Sequence, residues 1–154
     1  MRYTARRTHP GCPGYARRAK ASDATLLADW LIAFSAEAVP DDPVPMRAEL
    51  EQVASEGRHM FWVVEGEPVS MAGIVRRTRT TAAIAAVFTP PAHRGRGYAG
   101  AVTAEVAKRI FADGKAAACL YTDLRNPASN RCYARIGFEP VCDAWVYPRR
   151  RPQA

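Results

Sequence analysis

The spacing of apolar residues divides the chain into two helices, a meander of strands, and a final alternation of helix and strand. Residues 15–19 read as a short first strand. Ser22 or Asp23 can cap the helix that follows, in which Leu26, Leu27, Trp30, Leu31 and Phe34 recur at helical spacing. A Pro/Asp loop at 40–43 separates it from a second helix, expected to start at Pro45, to show Met46, Leu50 and Val53 on one face, and to stop at Gly57. Residues 60–64 are apolar and β-prone, Gly66 sits in a tight turn, and residues 69–75 return as the partner strand. The run 82–88 is apolar throughout, the pattern of a central strand covered on both faces. Val102, Val106 and Ile110 mark a helix ending near Gly114, residues 116–122 form another buried strand, and Asn126 with Pro127 opens a short helix that Gly137 closes. One or two last strands are expected within 139–147. The order β-α-α-β-β-β-α-β-α-β implies an α+β domain, antiparallel in front, with one parallel crossover.

Composition narrows this picture. A chain of 154 residues is about one domain and long enough to close a core. No apolar run reaches the roughly eighteen residues of a membrane span. Four cysteines without CxxC spacing point to reduced thiols, hence a cytoplasmic protein, and no metal-ligand set is expected. The net charge of +7 suggests nucleic acid until it is located. Residues 1–20 hold six basic side chains and no acidic one, and Arg149, Arg150 and Arg151 add three at the other end. The body between them is slightly acidic, so the charge reads as solvated tails and nucleic acid is not the expected partner.

The chemistry concentrates after the central strand. Gly95, Gly97 and Gly100 satisfy G-x-G-x-x-G, and Asp123 lies 23 residues on, which taken literally is a dinucleotide fingerprint. That alternative needs the strand to turn directly into glycine, whereas residues 89–94 intervene, and it needs several βαβ units where one crossover is visible. A Walker-type phosphate loop is excluded because no Lys-Ser or Lys-Thr pair follows the glycines. What remains is either a Gly/Arg surface turn that caps the next helix or an anion site. Glycines admit positive φ and close approach, while the first N–H groups of the next helix point at a ligand with the positive dipole end.

Arg94-x-x-Gly97-x-Ala99 resembles the Q/R-x-x-G-x-G/A signature of the GNAT superfamily of acyl-CoA-dependent N-acyltransferases. A second block is similar too. In 126–138, Asn126 opens a helix, Tyr133 follows seven residues later, and Gly137-Phe138 ends it. The resemblance covers about residues 15–148. It implies a mixed, mostly antiparallel sheet of six to seven strands flanked by about four helices, and acetyl-CoA as cofactor. It also implies roles. Arg94, Gly95, Arg96, Gly97, Tyr98, Ala99 and Gly100 would hold the pyrophosphate. Val87, Phe88 and Thr89 would pair with pantetheine amides, with Asn126, Ser129 and Asn130 as further cofactor contacts. Tyr133 would act as general acid toward the leaving thiolate.

The strand before the glycines departs from the family pattern: Ala82, Ala83, Ile84, Ala85 and Ala86 include no titratable side chain where many members carry a Glu. Glu37, with Asp41 and Asp42 in the loop beyond, is the candidate base, and His59 and Glu65 flank the second strand. The same departure motivates the alternative of a CoA-binding module without efficient catalysis. Residues 1–14 read as a linker of the kind that precedes the C-terminal domain of longer two-domain relatives, and 149–154 as a basic tail. An unidentified amine is the expected acceptor, and a homodimer would let a partner subunit complete the acceptor site.

Overall fold

The computed structural model describes residues 1–3, 11–40 and 42–145. Its elements are β1 (Arg2–Tyr3), β2 (Tyr15–Arg18), α1 (Ala24–Ala38), α2 (Arg47–Ser55), β3 (His59–Val64), β4 (Glu67–Arg77), β5 (Thr81–Phe88), α3 (Tyr98–Ala112), β6 (Ala117–Leu120), α4 (Pro127–Ile136) and β7 (Phe138–Glu139). The strands form one sheet in the order β2-β3-β4-β5-β6-β1-β7. Every pairing is antiparallel except β5 with β6, the crossover that α3 makes. The body is the five strands β2 to β6; β1 and β7 prolong it by two residues each.

The two faces of the sheet carry two cores. Phe61, Val63, Met71, Ala86 and Phe88 meet Leu27, Trp30 and Phe34 of α1 and Ala54 of α2. Trp62, Ala72, Ile74, Ala82, Ile84, Ala118 and Leu120 meet Val102, Val106 and Ile110 of α3 and Tyr133 and Ile136 of α4. Helices on both faces explain the unbroken apolar run of β5. Trp30 anchors the first core, edge-on to Phe61 at 5.4 Å and tilted on Phe88 at 5.9 Å.

Three expectations are corrected. Met46 is extended and 69% exposed, so the second helix starts at Arg47 and its face keeps Leu50 and Ala54 buried. Of the last strands expected within 139–147, only Phe138–Glu139 pairs; residues 140–145 have no regular structure, and Val146 and Tyr147 lie outside the described residues. The described ends of the N-terminal segment are tied to the fold. Arg2 and Tyr3 pair with Cys119 and Ala118 on one side and with Glu139 and Phe138 on the other. The slot beside β6 is therefore filled by the start of the chain. Pro13 is also fixed, its carbonyl accepting a hydrogen bond from Trp62 Nε1 at 2.8 Å. The tail at 149–154 lies outside the described residues.

His59 is a buried polar residue in this sheet. Its ring lies against Gly73 of β4, where an added Cβ would overlap it, and neither ring nitrogen has a hydrogen-bond partner. Burial pushes its pKa down to about 4, with Arg58 adding to the shift and Glu56 opposing it. It is a neutral core residue, not a base at the surface. Glu65 lies in the turn between β3 and β4 at φ 50°.

Candidate active site

The site is set by where β5 and β6 part. Their parallel ladder runs from Thr81 opposite Ala117 to Ile84 opposite Leu120 and stops there. Beyond it, β5 continues for four residues, to Phe88, with no partner on the β6 side. Between Ala85 and Phe88, β5 carries one residue more than β4 does between Gly73 and Met71, and the excess falls at Ala86, at φ 52°. A bulge of this kind re-aims the backbone groups of the strand. Nothing in an Ala-Ala pair signals it, and sequence reasoning missed it.

Ser70 braces the end of this strand from beneath. Its hydroxyl is fully buried, donates to the Phe88 carbonyl at 3.0 Å and lies 2.8 Å from Thr89 Oγ1, which must then be the donor between the two. The Phe88 and Thr89 carbonyls are thus both engaged within the protein, the second by Arg94 Nε at 2.8 Å. Of the three residues expected to face the pantetheine, Val87 has the free edge.

The glycine loop delivers the chain to α3. Gly97 is its N-cap, left-handed at φ 84°, and no side chain caps the helix. The first helical bond is Ala101 N–H to the Gly97 carbonyl, so the N–H groups of Tyr98, Ala99 and Gly100, at the positive end of the dipole, have no backbone partner among the described residues. The Tyr98 ring and Gly100 are buried, so each offers only its backbone. Gly95 is also left-handed, and a Cβ there would meet nothing within 4 Å, which leaves open space above the loop. Arg96 is exposed and has no ion pair among the described residues.

Arg94 and Glu37 are brought together in a way the sequence did not indicate. Arg94 Nη2 lies 2.8 Å from both Glu37 carboxylate oxygens, and the guanidinium stands 5.9 Å from the Phe88 ring centre. The expected phosphate contact and the expected base are each other's partner in this structure. The pairing ties the last turn of α1 to the glycine loop. Asp42 is exposed, and Asp41 lies outside the described residues.

On α4 the three polar candidates separate. Asn126 is a helix cap, its side-chain oxygen accepting from Ser129 N–H at 3.1 Å. Asn130 Nδ2 staples the loop before the helix by donating to the Asp123 carbonyl at 3.1 Å, while its Oδ1 is buried without a partner. Tyr133 stands in the α3-side core, 6.1 Å from the Phe138 ring centre. Burial pushes its phenol above the ordinary range, so it stays protonated.

A strand end that leaves its parallel neighbour, beside a glycine-capped helix with open N–H donors, is an arrangement for an extended ligand with an anionic end. The sequence matches the Acetyltransferase (GNAT) family over residues 24–138. The chain belongs to the GNAT family of acetyltransferases. No curated protein matches it closely enough to add to this. Solved structures agree on the fold of this GNAT chain. The yncA protein of Salmonella typhimurium, solved with its cofactor acetyl-CoA, is 19% identical at a TM-score of 0.71, covering 83% of this chain and 80% of that one. The aminoglycoside N-acetyltransferase AAC(6')-Iy, solved with CoA, is 17% identical at 0.68, covering 93% and 99%. A GCN5-related N-acetyltransferase from Ralstonia eutropha is 20% identical at 0.63, covering 87% and 97%. Among the described residues no helix is long and apolar enough to cross a membrane.

Proposed function

We propose that this chain transfers an acetyl group from acetyl-CoA to a primary amine by direct attack. The observation that carries the reading is the opening between β5 and β6, bulged at Ala86 and continuous with the N–H groups at the start of α3. The residues fit the cofactor. The N–H groups of Tyr98, Ala99 and Gly100, with the Arg96 guanidinium, would hold the pyrophosphate. The free edge at Ala85 to Val87 would pair with pantetheine amides. When bound, acetyl-CoA supplies an activated thioester carbonyl.

The protein's part is to position and to move protons. A backbone N–H at the Ala86 bulge is assigned to the carbonyl oxygen, an oxyanion-type contact. The amine nitrogen bonds to the acetyl carbon as the carbon–sulfur bond breaks. The Tyr133 phenol, kept protonated by its burial, gives its proton to the leaving sulfur and is reprotonated from solvent. The amine's proton goes to water. Glu37 is assigned to holding Arg94, not to removing that proton.

That same lack of a carboxylate on β5 favours a second reading, a CoA-binding module with little catalysis. One experiment tests both. Acetyl-CoA affinity is measured by calorimetry, and thiol release is followed on a panel of amines. Binding with release supports transfer, and binding without release on any amine supports the module. Gly97→Val should weaken acetyl-CoA binding at least about tenfold, because a β-branched residue resists φ 84° and crowds the phosphate. Unchanged affinity in a folded Gly97→Val protein overturns both readings.

A further inference from the structure

A cavity of about 210 Å³ opens on the sheet face opposite α3, lined by Arg76, Thr78, Thr81, Ala83, Cys119 and Tyr121. Strand alternation explains the face. Ala82, Ile84, Ala118 and Leu120 point into the α3 core, so Ala83 and Cys119 point away from it. Arg76 is the β4 partner of Ala83, and Cys119 is its β6 partner, so the three form a row across the sheet. The floor is small and the rim is polar. The cavity runs along the β5–β6 ladder, from its first rung at Thr81 to Tyr121 just beyond its last. Ala83 is three residues from the Ala86 bulge, about 10 Å along the strand.

The charge of this cavity is one-sided. None of its lining residues is acidic, and Arg76 has no hydrogen bond or ion pair among the described residues. Arg77 and Arg79 flank it on the hairpin, and Lys115 donates to the Thr78 and Arg79 carbonyls from the neighbouring loop. Asp113 answers Arg77 and Arg109, and Asp123 answers Arg125, so the nearby acids are engaged elsewhere. A cationic group here would meet unpaired like charge. An anionic one would find the Arg76 guanidinium and the Tyr121 hydroxyl, while the Thr78 and Thr81 hydroxyls bond to each other at 2.9 Å and to the hairpin backbone. At about 210 Å³ the space is smaller than the roughly 300–1,000 Å³ of clefts for drug-sized ligands, and suits a small acceptor.

We propose that this cavity is the acceptor pocket, and that the acceptor is a small amine bearing an anionic group, bound by Arg76, a few bonds from its nitrogen. The inference rests on the acetyl-transfer reading above and narrows it to a substrate class. It runs against a polycationic acceptor, whatever the fold shared with the aminoglycoside enzyme.

The test compares kcat/KM, by thiol release at fixed saturating acetyl-CoA, for ω-amino acids of increasing length, their carboxamides, the matching ω-aminoalkyl phosphates, and spermidine. A charge-assisted contact to Arg76 should favour the best anionic amine over its neutral analogue by about ten- to a hundredfold. Carboxylate and phosphate arms separate the two sources of charge. Arg76→Met keeps the aliphatic stem and should abolish the preference while leaving acetyl-CoA affinity unchanged. Turnover that ignores the acceptor's charge, that prefers spermidine, or that keeps its preference in Arg76→Met overturns this inference alone. Acetyl-CoA binding with no turnover on any amine takes the acetyl-transfer reading down with it.

Discussion

Acidification should destabilise this protein through His59. The imidazole is 5% exposed, has no partner for either nitrogen, and has a pKa of about 4 in the folded chain. An unfolded histidine titrates near 6.5. Between these values the unfolded chain binds a proton that the folded chain does not. Stability therefore rises with pH across that window; it is full above about 6.5 and is lost as pH falls to about 4. A shift from about 6.5 to about 4, at 1.36 kcal/mol per unit, amounts to about 3 kcal/mol. Against a typical domain stability of about 5–15 kcal/mol, that is a large share.

The assay is urea denaturation at a series of pH values from 4 to 8, for the wild type and for His59→Leu. The variant removes the proton site and both unsatisfied nitrogens, whose burial costs about 1–3 kcal/mol each. It should match or exceed the wild type at pH 8. Its advantage should grow by about 3 kcal/mol toward pH 4. Other groups titrate in both proteins and cancel in the difference. A wild-type-minus-variant difference that is flat across pH 4–7 would refute the reasoning, because it would mean that His59 accepts its proton as readily folded as unfolded.

Tyr133→Phe keeps the ring against Phe138 and should leave stability and acetyl-CoA affinity nearly unchanged, while single-turnover rates fall by roughly ten- to a thousandfold. Rates within about twofold of wild type, where chemistry limits, would remove Tyr133 from the proton path. Glu37→Gln should change stability by less than about 1 kcal/mol, since both side chains of the pair with Arg94 are about half exposed. It should also leave the pH–rate profile in place. A fall of about a hundredfold with loss of the acidic limb would restore Glu37 as the base.

The parts of this molecule that were legible in the sequence are those governed by local rules. Helix periodicity placed α1 through Leu27 and Trp30, Asn126 and Gly137 bracketed α4, and the apolar run of β5 announced a strand covered twice. Gly97 was legible because a left-handed cap before a helix has few other residues to use. What escaped is non-local. The strand Arg2–Tyr3 is made by pairing across more than a hundred residues, and two residues are too few to show an alternating pattern. The Arg94–Glu37 pair spans 57 residues and depends on how the end of α1 meets the glycine loop. Ala86 at positive φ runs against its own propensity, so only the mismatch in register with β4 reveals it.

That mismatch also shows how the site is held. A non-glycine residue in the left-handed region costs about 1–3 kcal/mol and persists only where its surroundings fix it. Here the restraints act on the two residues that end the strand, Phe88 and Thr89. Beneath the bulge, Phe88 is locked by Trp30 of α1 and by the Ser70 hydroxyl on its carbonyl. Beyond it, Arg94 clamps the Thr89 carbonyl and is itself held by Glu37 of the same helix. Helix α1 therefore reaches both sides of the strand end without contributing a reacting group. A change on α1 that loosens Trp30 or Glu37 acts on the backbone edge assigned to the cofactor. The proposed acceptor row, Arg76–Ala83–Cys119, lies three residues back along β5, where the ladder with β6 is regular and the one with β4 has its own irregularity between Ile74 and Arg76. On the proposed reading, cofactor placement and acceptor choice thus fall to two separate irregularities of the β4–β5 pairing, the first at Ala86 under α1, the second beside Arg76.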